Sequence, residues 1–307
     1  MEHGKVYSLT VDFKPTKAEA LKLISANMDN TDGKVTLLKA CKSYIEVKSN
    51  VLSTTSIRSY RALTRNIPSD LANKPLHSIT TPMIQAEVNR YAVRHAPKTV
   101  FNYGAFLSIV MAFFGKTIGK IKYPQRIKSH GYIPTPEELH AILKELEGGP
   151  FYIPVFLGSR GLRLSEVCAL TVEDLNGDLL TINKAKVRAE HGYTVKTTKT
   201  VTSTRTIVIP HKIADLIREQ GFVYDRSPNK ILKNLSRAEE KLGMPHFTFH
   251  QLRHFFASYT HYLGFVDKSI QQDAGWASNY TMKNTYRQVM DKEKISRQIS
   301  DIFEQLL

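Results

Sequence analysis

His250-Gln251-Leu252-Arg253-His254 leads directly into Phe255-Phe256-Ala257-Ser258, placing charged side chains at the opening of an apolar helix. Three positions apart, His250 and Arg253 share one helical face. Gly161-Leu162-Arg163-Leu164-Ser165-Glu166 repeats the arrangement at the end of an earlier apolar run, and it too opens a helix. Between these segments the periodicity changes. Within Leu179–Ile209, the stretches LLTINKAK, YTVKTTK and RTIVIP read as three short strands. Helical patterns fill the remainder of the second half, so the fold expected is mainly α with a small antiparallel sheet.

Upstream the pattern stays helical. Thr36 caps a helix with Leu37, Cys41, Tyr44 and Ile45 on one face, and Ser53 or Thr54 caps a second with Ile57, Tyr60 and Leu63 inward. Thr81-Pro82 opens a third and Pro97 a fourth, since proline suits the first helical turn. Residues 119–134 (GKIKYPQRIKSHGYIP) read as a basic linker containing two Gly, two Pro and no acid. Thr135-Pro136-Glu137-Glu138 then starts a new helix, with a cap and acids where the helix dipole favours them. Residues 5–13 alternate like a strand and Lys17–Met28 reads as a short helix. In the tail 291–307, Ile295, Ile299, Ile302 and Leu306 form one apolar helical stripe.

The 307 residues suggest about two domains. Lys and Arg outnumber Asp and Glu by 43 to 28, and the excess is uneven: residues 1–130 hold 20 basic against 8 acidic side chains, the rest 23 against 20. Such asymmetry points to a polyanion held mainly by the first half. Arg58, Arg61 and Arg65 share a helical face and, with Lys98, Thr99 and Asn102, form a candidate phosphate-binding surface, the alternative being a solvated basic face. Two distant cysteines, Cys41 and Cys168, exclude a disulfide framework and a cysteine zinc site. The longest apolar stretch, Ala105–Phe114, falls well short of the roughly 20 residues that span a bilayer. A soluble, cytoplasmic protein without membrane partners is expected.

Ala274-Gly275-Trp276 is followed, ten positions later, by Tyr286. Two arginines, a histidine, a lysine on a hairpin and a late tyrosine make a coherent chemical set. Guanidinium groups bind phosphate oxygens bidentately and stay charged, which suits a developing phosphorane. Simpler readings stand beside this one. Arg163 can pair with Glu166 one turn on. His250 and His254 have metal-pair spacing, but no HExxH glutamate or suitably spaced third ligand accompanies them, so no metal is expected. His254 reads as a structural residue beneath the site. Lys196 competes with Lys199 for the hairpin role, because the register of a hairpin is hard to read from sequence.

These residues also carry a resemblance. GLRLSEVCALTVEDL resembles the first arginine box of the tyrosine recombinases of the phage-integrase family, HQLRHFFAS their His-x-x-Arg box, and AGWASNYTMKNTY their final box. YIPTPEELHAIL is similar to the opening that precedes the first box. SIRSYRALTRNI and APKTVFNYGAFLSIVMAFF are similar to the family's core-binding domain, so the resemblance covers roughly residues 34–290. It implies an N-terminal extension (1–33), a helical DNA-binding domain (34–118), the linker (119–134), a catalytic domain (135–290) and the tail (291–307), closing like a clamp on duplex DNA.

By the same resemblance, Arg163 and Arg253 would hold the scissile phosphate, His250 would assist proton movement, and Glu166 would support the site. Tyr286 would attack phosphorus, leaving a 3′-phosphotyrosine, while Lys199 would protonate the departing 5′ oxygen. Trp276 stands where most members have a second histidine; its indole N–H donates a hydrogen bond but shuttles no proton. The implied enzyme needs neither cofactor, ATP nor metal, works as a homotetramer on paired DNA sites, and takes accessory DNA-bending or directionality proteins. A prokaryotic viral or mobile-element source fits it. A type IB topoisomerase and a non-catalytic DNA-binding protein of the same fold are the rival readings.

Overall fold

The computed structural model describes residues 35–125, 131–189, 192–197, 204–276 and 278. Lys199, Tyr286, the strand and helix expected before residue 34, and the apolar stripe of the tail lie outside the described residues. The chain divides into two compact units, Met1–Lys128 and Ser129–Leu307.

The described part of the first unit is helical. Thr36 starts α1 (Leu37–Val47), its hydroxyl accepting from the Lys39 amide, and Ser53 starts α2 (Thr54–Arg65) in the same way through Ser56. Each cap satisfies an amide that the first turn leaves unpaired and contributes about 1 kcal/mol. A short α3 (Ser69–Ala72) and a 3₁₀ turn (Leu76–Ser78) lead to α4 (Thr81–Ala92) and α5 (Pro97–Phe113), both with proline in the first turn. Leu37, Cys41, Ile84, Val88, Val100, Tyr103, Leu107 and Val110 form the core. Tyr60 of α2 stacks on Phe106 of α5 with ring centroids 4.7 Å apart.

One charge lies in that core. Glu87 accepts a 2.7 Å hydrogen bond from the Tyr103 hydroxyl and two from Arg90. Hydrogen-bond partners on both oxygens offset the cost of burying such a group. The first residues of the expected linker are fastened to α4: Thr81 Oγ1 accepts from the Gly119 amide at 2.9 Å, and the Gln85 amide group exchanges two bonds with the Lys122 backbone. Ile121 between them is buried.

The second unit begins with α6 (Pro136–Leu146), held by a reciprocal cap between Thr135 and Glu138, to which the Tyr132 hydroxyl also donates. The apolar α7 (Tyr152–Ser159) and the single-turn α8 (Leu164–Val167) follow. Then come the strands β1 (Leu175–Asn176), β2 (Leu179–Ile182), β3 (Lys184–Arg188), β4 (Tyr193–Thr197) and β5 (Arg205–Val208). Four helices complete the described residues: α9 (His211–Gln220), α10 (Pro228–Lys241), α11 (Phe249–Tyr262) and α12 (Asp267–Ala274).

The fold is mainly α with antiparallel strands, as the sequence implies, but the strands form two small sheets, β1-β2-β5 and β3-β4. LLTINKAK is not one strand. It breaks at exposed Asn183, a residue type that fits pleated strands poorly, so Ile182 pairs with Arg205 while Lys184 pairs with Thr197. The extra strand β1 arises from a two-residue hairpin in which Gly177 takes a positive φ of 62°. Strands β2 and β5 turn Leu180, Ile182, Ile207 and one arginine, Arg205, inward.

Candidate active site

Arg163 occupies the cap position of α8, and its backbone amide donates to Glu166 Oε2 at 2.9 Å. Its guanidinium donates to Glu166 Oε1 at 2.6 Å and to the Gly275 carbonyl at 3.3 Å. The simple ion pair read from sequence therefore exists. It does not use up the arginine, whose side chain remains 38% exposed while Glu166 is buried. Burial alone would raise the Glu166 pKa; hydrogen bonds and charge from Arg205 and Arg163 outweigh it and hold the carboxyl below its ordinary value.

Arg253, on the first turns of α11, is fully buried. Its Nη1 donates to the carbonyls of Gly161, just before Arg163, and of Ala274 (2.5 Å), at the end of α12. Its guanidinium lies 4.3 Å from the centre of the Trp276 ring. Nε and Nη2 of Arg253, and Nε1 of Trp276, have no hydrogen-bond partner among the described residues. Desolvation, then the nearby positive charge of Arg163, push the Arg253 pKa down to about 9, which still leaves a cation at neutral pH. One guanidinium thus braces two of the sequence segments and keeps donors unengaged.

His250, the second residue of α11, is solvent-exposed, with its ring edge-on to His254 at 4.8 Å. Desolvation, followed by the charges of Arg253 and Arg163, lowers its pKa, so at neutral pH the ring has one donor and one acceptor nitrogen. Burial, then His250 and Arg253, push His254 down to about 4. It is half-buried and lies with its ring 6.3 Å from Trp276, which suits the structural part read for it. Among the described residues, no group of three His, Cys, Asp or Glu side chains is placed to hold a metal ion.

Trp276 is buried against Phe256, Ala257, Ile270 and Ala274. Gly275 ends α12 at φ 67°, and the Gln271 side chain holds the Trp276 carbonyl at 3.0 Å. Arg163, Glu166, Arg253, His250 and Trp276 are therefore brought together. Lys199 and Tyr286 lie outside the described residues. Lys196 is exposed on β4, opposite Ala185.

The model of the phage integrase family matches residues 135–293. The chain belongs to that family. Similar folds are found in the Tn1549 transposon integrase and in lambda integrase. The Tn1549 transposon integrase in complex with transposon right end DNA superposes with a TM-score of 0.67 at 18% identity, over 88% of this chain and 100% of that one. A lambda integrase dimer bound to a COC′ core site gives 0.61 at 18%, over 86% and 80%. A lambda integrase tetramer bound to a Holliday junction gives 0.62 at 18%, over 87% and 86%. At this identity the likeness is one of fold. No curated protein sequence matches the chain.

One residue of this cluster escapes the sequence reading. Arg205 is buried, donates to Glu166 Oε2 at 2.9 Å through Nη2, and donates to the Asp273 carbonyl at 2.9 Å through Nε. The signal was its parity. In Arg205-Thr206-Ile207-Val208-Ile209 the arginine stands on the same face as two buried isoleucines, an unusual place for a charge unless it has a partner.

In the first unit, Arg58, Arg61, Arg65, Lys98, Thr99 and Asn102 are all exposed. Leu63 and Thr64 are the buried residues of α2, and Val100 and Tyr103 are among those of α5. Lys98 Nζ rests 5.4 Å from the centre of the Phe101 ring, itself 38% exposed, so a basic and an aromatic side chain stand together at the start of α5. Among the described residues no helix is long and apolar enough to cross a membrane.

Proposed function

We propose that this chain is a site-specific DNA recombinase of the integrase type. The observation that carries the reading is the convergence of Arg163, Arg253 and Arg205 near the buried carboxylate of Glu166, with His250 at the exposed edge. Such a surplus of fixed positive charge is suited to a phosphoryl group that gains charge as it is attacked. Arg163 and Arg253 would bind the non-bridging oxygens and His250 would hydrogen-bond one of them. The Tyr286 hydroxyl oxygen would form a bond to phosphorus as the P–O5′ bond breaks, its proton leaving with the help of His250. Lys199 would give the leaving oxygen its proton. The product is a 3′-phosphotyrosine and a free 5′-hydroxyl. Because the phosphodiester energy is retained in that link, rejoining needs no ATP.

The partner is duplex DNA carrying specific recombination sites, gripped in part by the exposed arginines of α2 and by Lys98, Thr99 and Asn102. A homotetramer on two such sites fits the reading, as does a mobile-element enzyme acting in the cytoplasm. Trp276 would hold Arg253 by its ring face and offer its N–H near the phosphate.

The decisive experiment uses a nicked suicide substrate built on the element's own end sequence. Wild type forms a covalent protein–DNA adduct at the 3′ phosphate in EDTA, and peptide mapping returns Tyr286. Tyr286→Phe keeps folding and DNA affinity and forms no adduct. An adduct that persists in the Phe variant, or one that requires a divalent metal, overturns the mechanism.

A further inference from the structure

We propose that Arg205 is a positioning residue of the cleavage site, holding Glu166 and the backbone before Trp276 so that Arg163 faces the phosphate with its charge uncancelled. The inference rests on the recombinase reading and adds a residue to it. Arg205 and Glu166 meet at 2.9 Å with side chains only 6% and 3% exposed. Glu166 uses its other oxygen on Arg163 at 2.6 Å. One buried carboxylate is thus shared by two guanidinium groups, one buried and one reaching solvent.

The sharing matters for the charge that a ligand meets. With Arg205 present, Glu166 offsets only part of each neighbour, and the described cluster of Arg163, Arg205, Arg253 and Glu166 keeps a net positive charge. Without it, Glu166 would face Arg163 as a one-to-one pair, leaving buried Arg253 as the cluster's one uncompensated cation and weakening the positive field at the exposed edge of Arg163. Arg205 also fixes geometry. Its Nε holds the Asp273 carbonyl, while the Asp273 carboxylate is held by Arg160 at 2.8 Å. Its guanidinium fills the space beside Gly275, where a Cβ would stand 2.8 Å from Nη1. The segment leading into Trp276 therefore rests on Arg205.

A purely structural strut at this inward position of β5 would not need charge. Ile207 and Ile209 occupy the same face as apolar residues, and buried ion pairs are commonly replaceable by apolar side chains without loss of stability. The two roles make different predictions for Arg205→Met and for its combination with Glu166→Gln.

The test uses the full chain on the suicide substrate, measuring single-turnover adduct formation and DNA affinity separately, with folding followed through Trp276 fluorescence. Arg205→Met is expected to bind DNA as wild type does and to form adduct about 10–100-fold more slowly, the range usual for groups that orient a first layer of ligands. Arg205→Lys, which keeps the charge but not the fork, falls between the two. Adding Glu166→Gln to Arg205→Met costs less than the two single effects combined, because the shared partner is already lost. Adduct formation at the wild-type rate in Arg205→Met, or strictly additive effects, overturns the proposal. Should Arg205→Met fail to fold, Arg205→Lys decides: slower cleavage at unchanged affinity supports the role and a wild-type rate ends it. Absence of any adduct in the wild type sinks the recombinase reading and this inference with it. Normal wild-type adduct beside an unaffected Arg205→Met sinks the inference alone.

Discussion

Gly275→Ala is a sharp probe of how the site is held. Gly275 has φ 67°, and an added Cβ would lie 2.8 Å from Arg205 Nη1 and 3.1 Å from its Cδ. The first effect is backbone strain, about 1–2 kcal/mol for a side chain forced into the left-handed region. The second is displacement of a guanidinium pinned by two hydrogen bonds, which costs about 1–3 kcal/mol if one buried bond is lost. Gly177 is the natural control, because it has nearly the same φ, 62°, and nothing within 4 Å of the position a Cβ would take. Gly177→Ala therefore carries the strain without the contact. In a unit of this size each kcal/mol lowers Tm by about 2–4 °C, so Gly275→Ala should melt about 4–8 °C below Gly177→Ala for a contact cost of about 2 kcal/mol. The chain has one tryptophan, Trp276, directly beside the substitution, so its fluorescence reports unfolding of this region. Adduct formation should fall in Gly275→Ala alone. Equal melting temperatures with equal cleavage rates would refute the claim that Arg205 packs the turn into place.

Other outcomes follow from the same structure. Glu87→Ala strands the Tyr103 hydroxyl in the first unit's core and should cost roughly 3 kcal/mol by urea unfolding followed by far-UV circular dichroism; adding Tyr103→Phe should recover part of it, and a fully additive pair would contradict the pairing. His254, pushed to about 4, stabilises the fold by staying neutral, so its contribution is complete above about pH 6.5 and is lost as pH falls toward 4. Glu166 acts in a lower window, its contribution present above the ordinary carboxylate value and lost as pH falls through its depressed folded value. Urea midpoints at pH 7 and 5 should converge in His254→Asn; an unchanged gap would refute the assignment. If Lys199 donates the leaving-group proton, a 5′-bridging sulfur substrate should rescue Lys199→Ala, since a thiolate leaves unprotonated; rescue of Lys196→Ala instead would move the role. DNA binding by residues 1–130 should weaken steeply with salt, on the order of 10³–10⁵-fold from low to physiological concentration if about 6–10 phosphates are neutralised; a flat response would mean the basic surplus is no DNA surface.

The helical frame was legible because its punctuation is chemical. Thr36, Ser53 and Thr135 each accept a hydrogen bond from a first-turn amide through the side-chain oxygen, and their types and positions announce it. The pairing of Arg163 with Glu166 and the facing of His250 and Arg253 follow from three-residue helical spacing. The strands were harder. Their lengths are short enough that a single Asn183 redirects the chain between sheets, and Asn176-Gly177, a recognisable hairpin signal, builds a strand of only two residues. Arg205 was missed because its partner lies 39 positions away: nothing local distinguishes a paired buried arginine from an exposed one except the parity of its strand. The depth of Arg253 was equally hidden, since its carbonyl partners at Gly161 and Ala274 belong to segments that only the fold brings together.

The interlock of Gly275, Arg205 and Glu166 also limits how this site can change over generations. A side chain at position 275 is costly while Arg205 fills the space beside it, and shortening Arg205 removes one of the donors that Glu166 holds. Each single step therefore passes through a weakened protein even where the final triple combination would be sound. Variation at these three positions should be strongly epistatic, travelling as a block in related sequences. A randomised library spanning all three codons should return functional clones that no walk of single substitutions would reach.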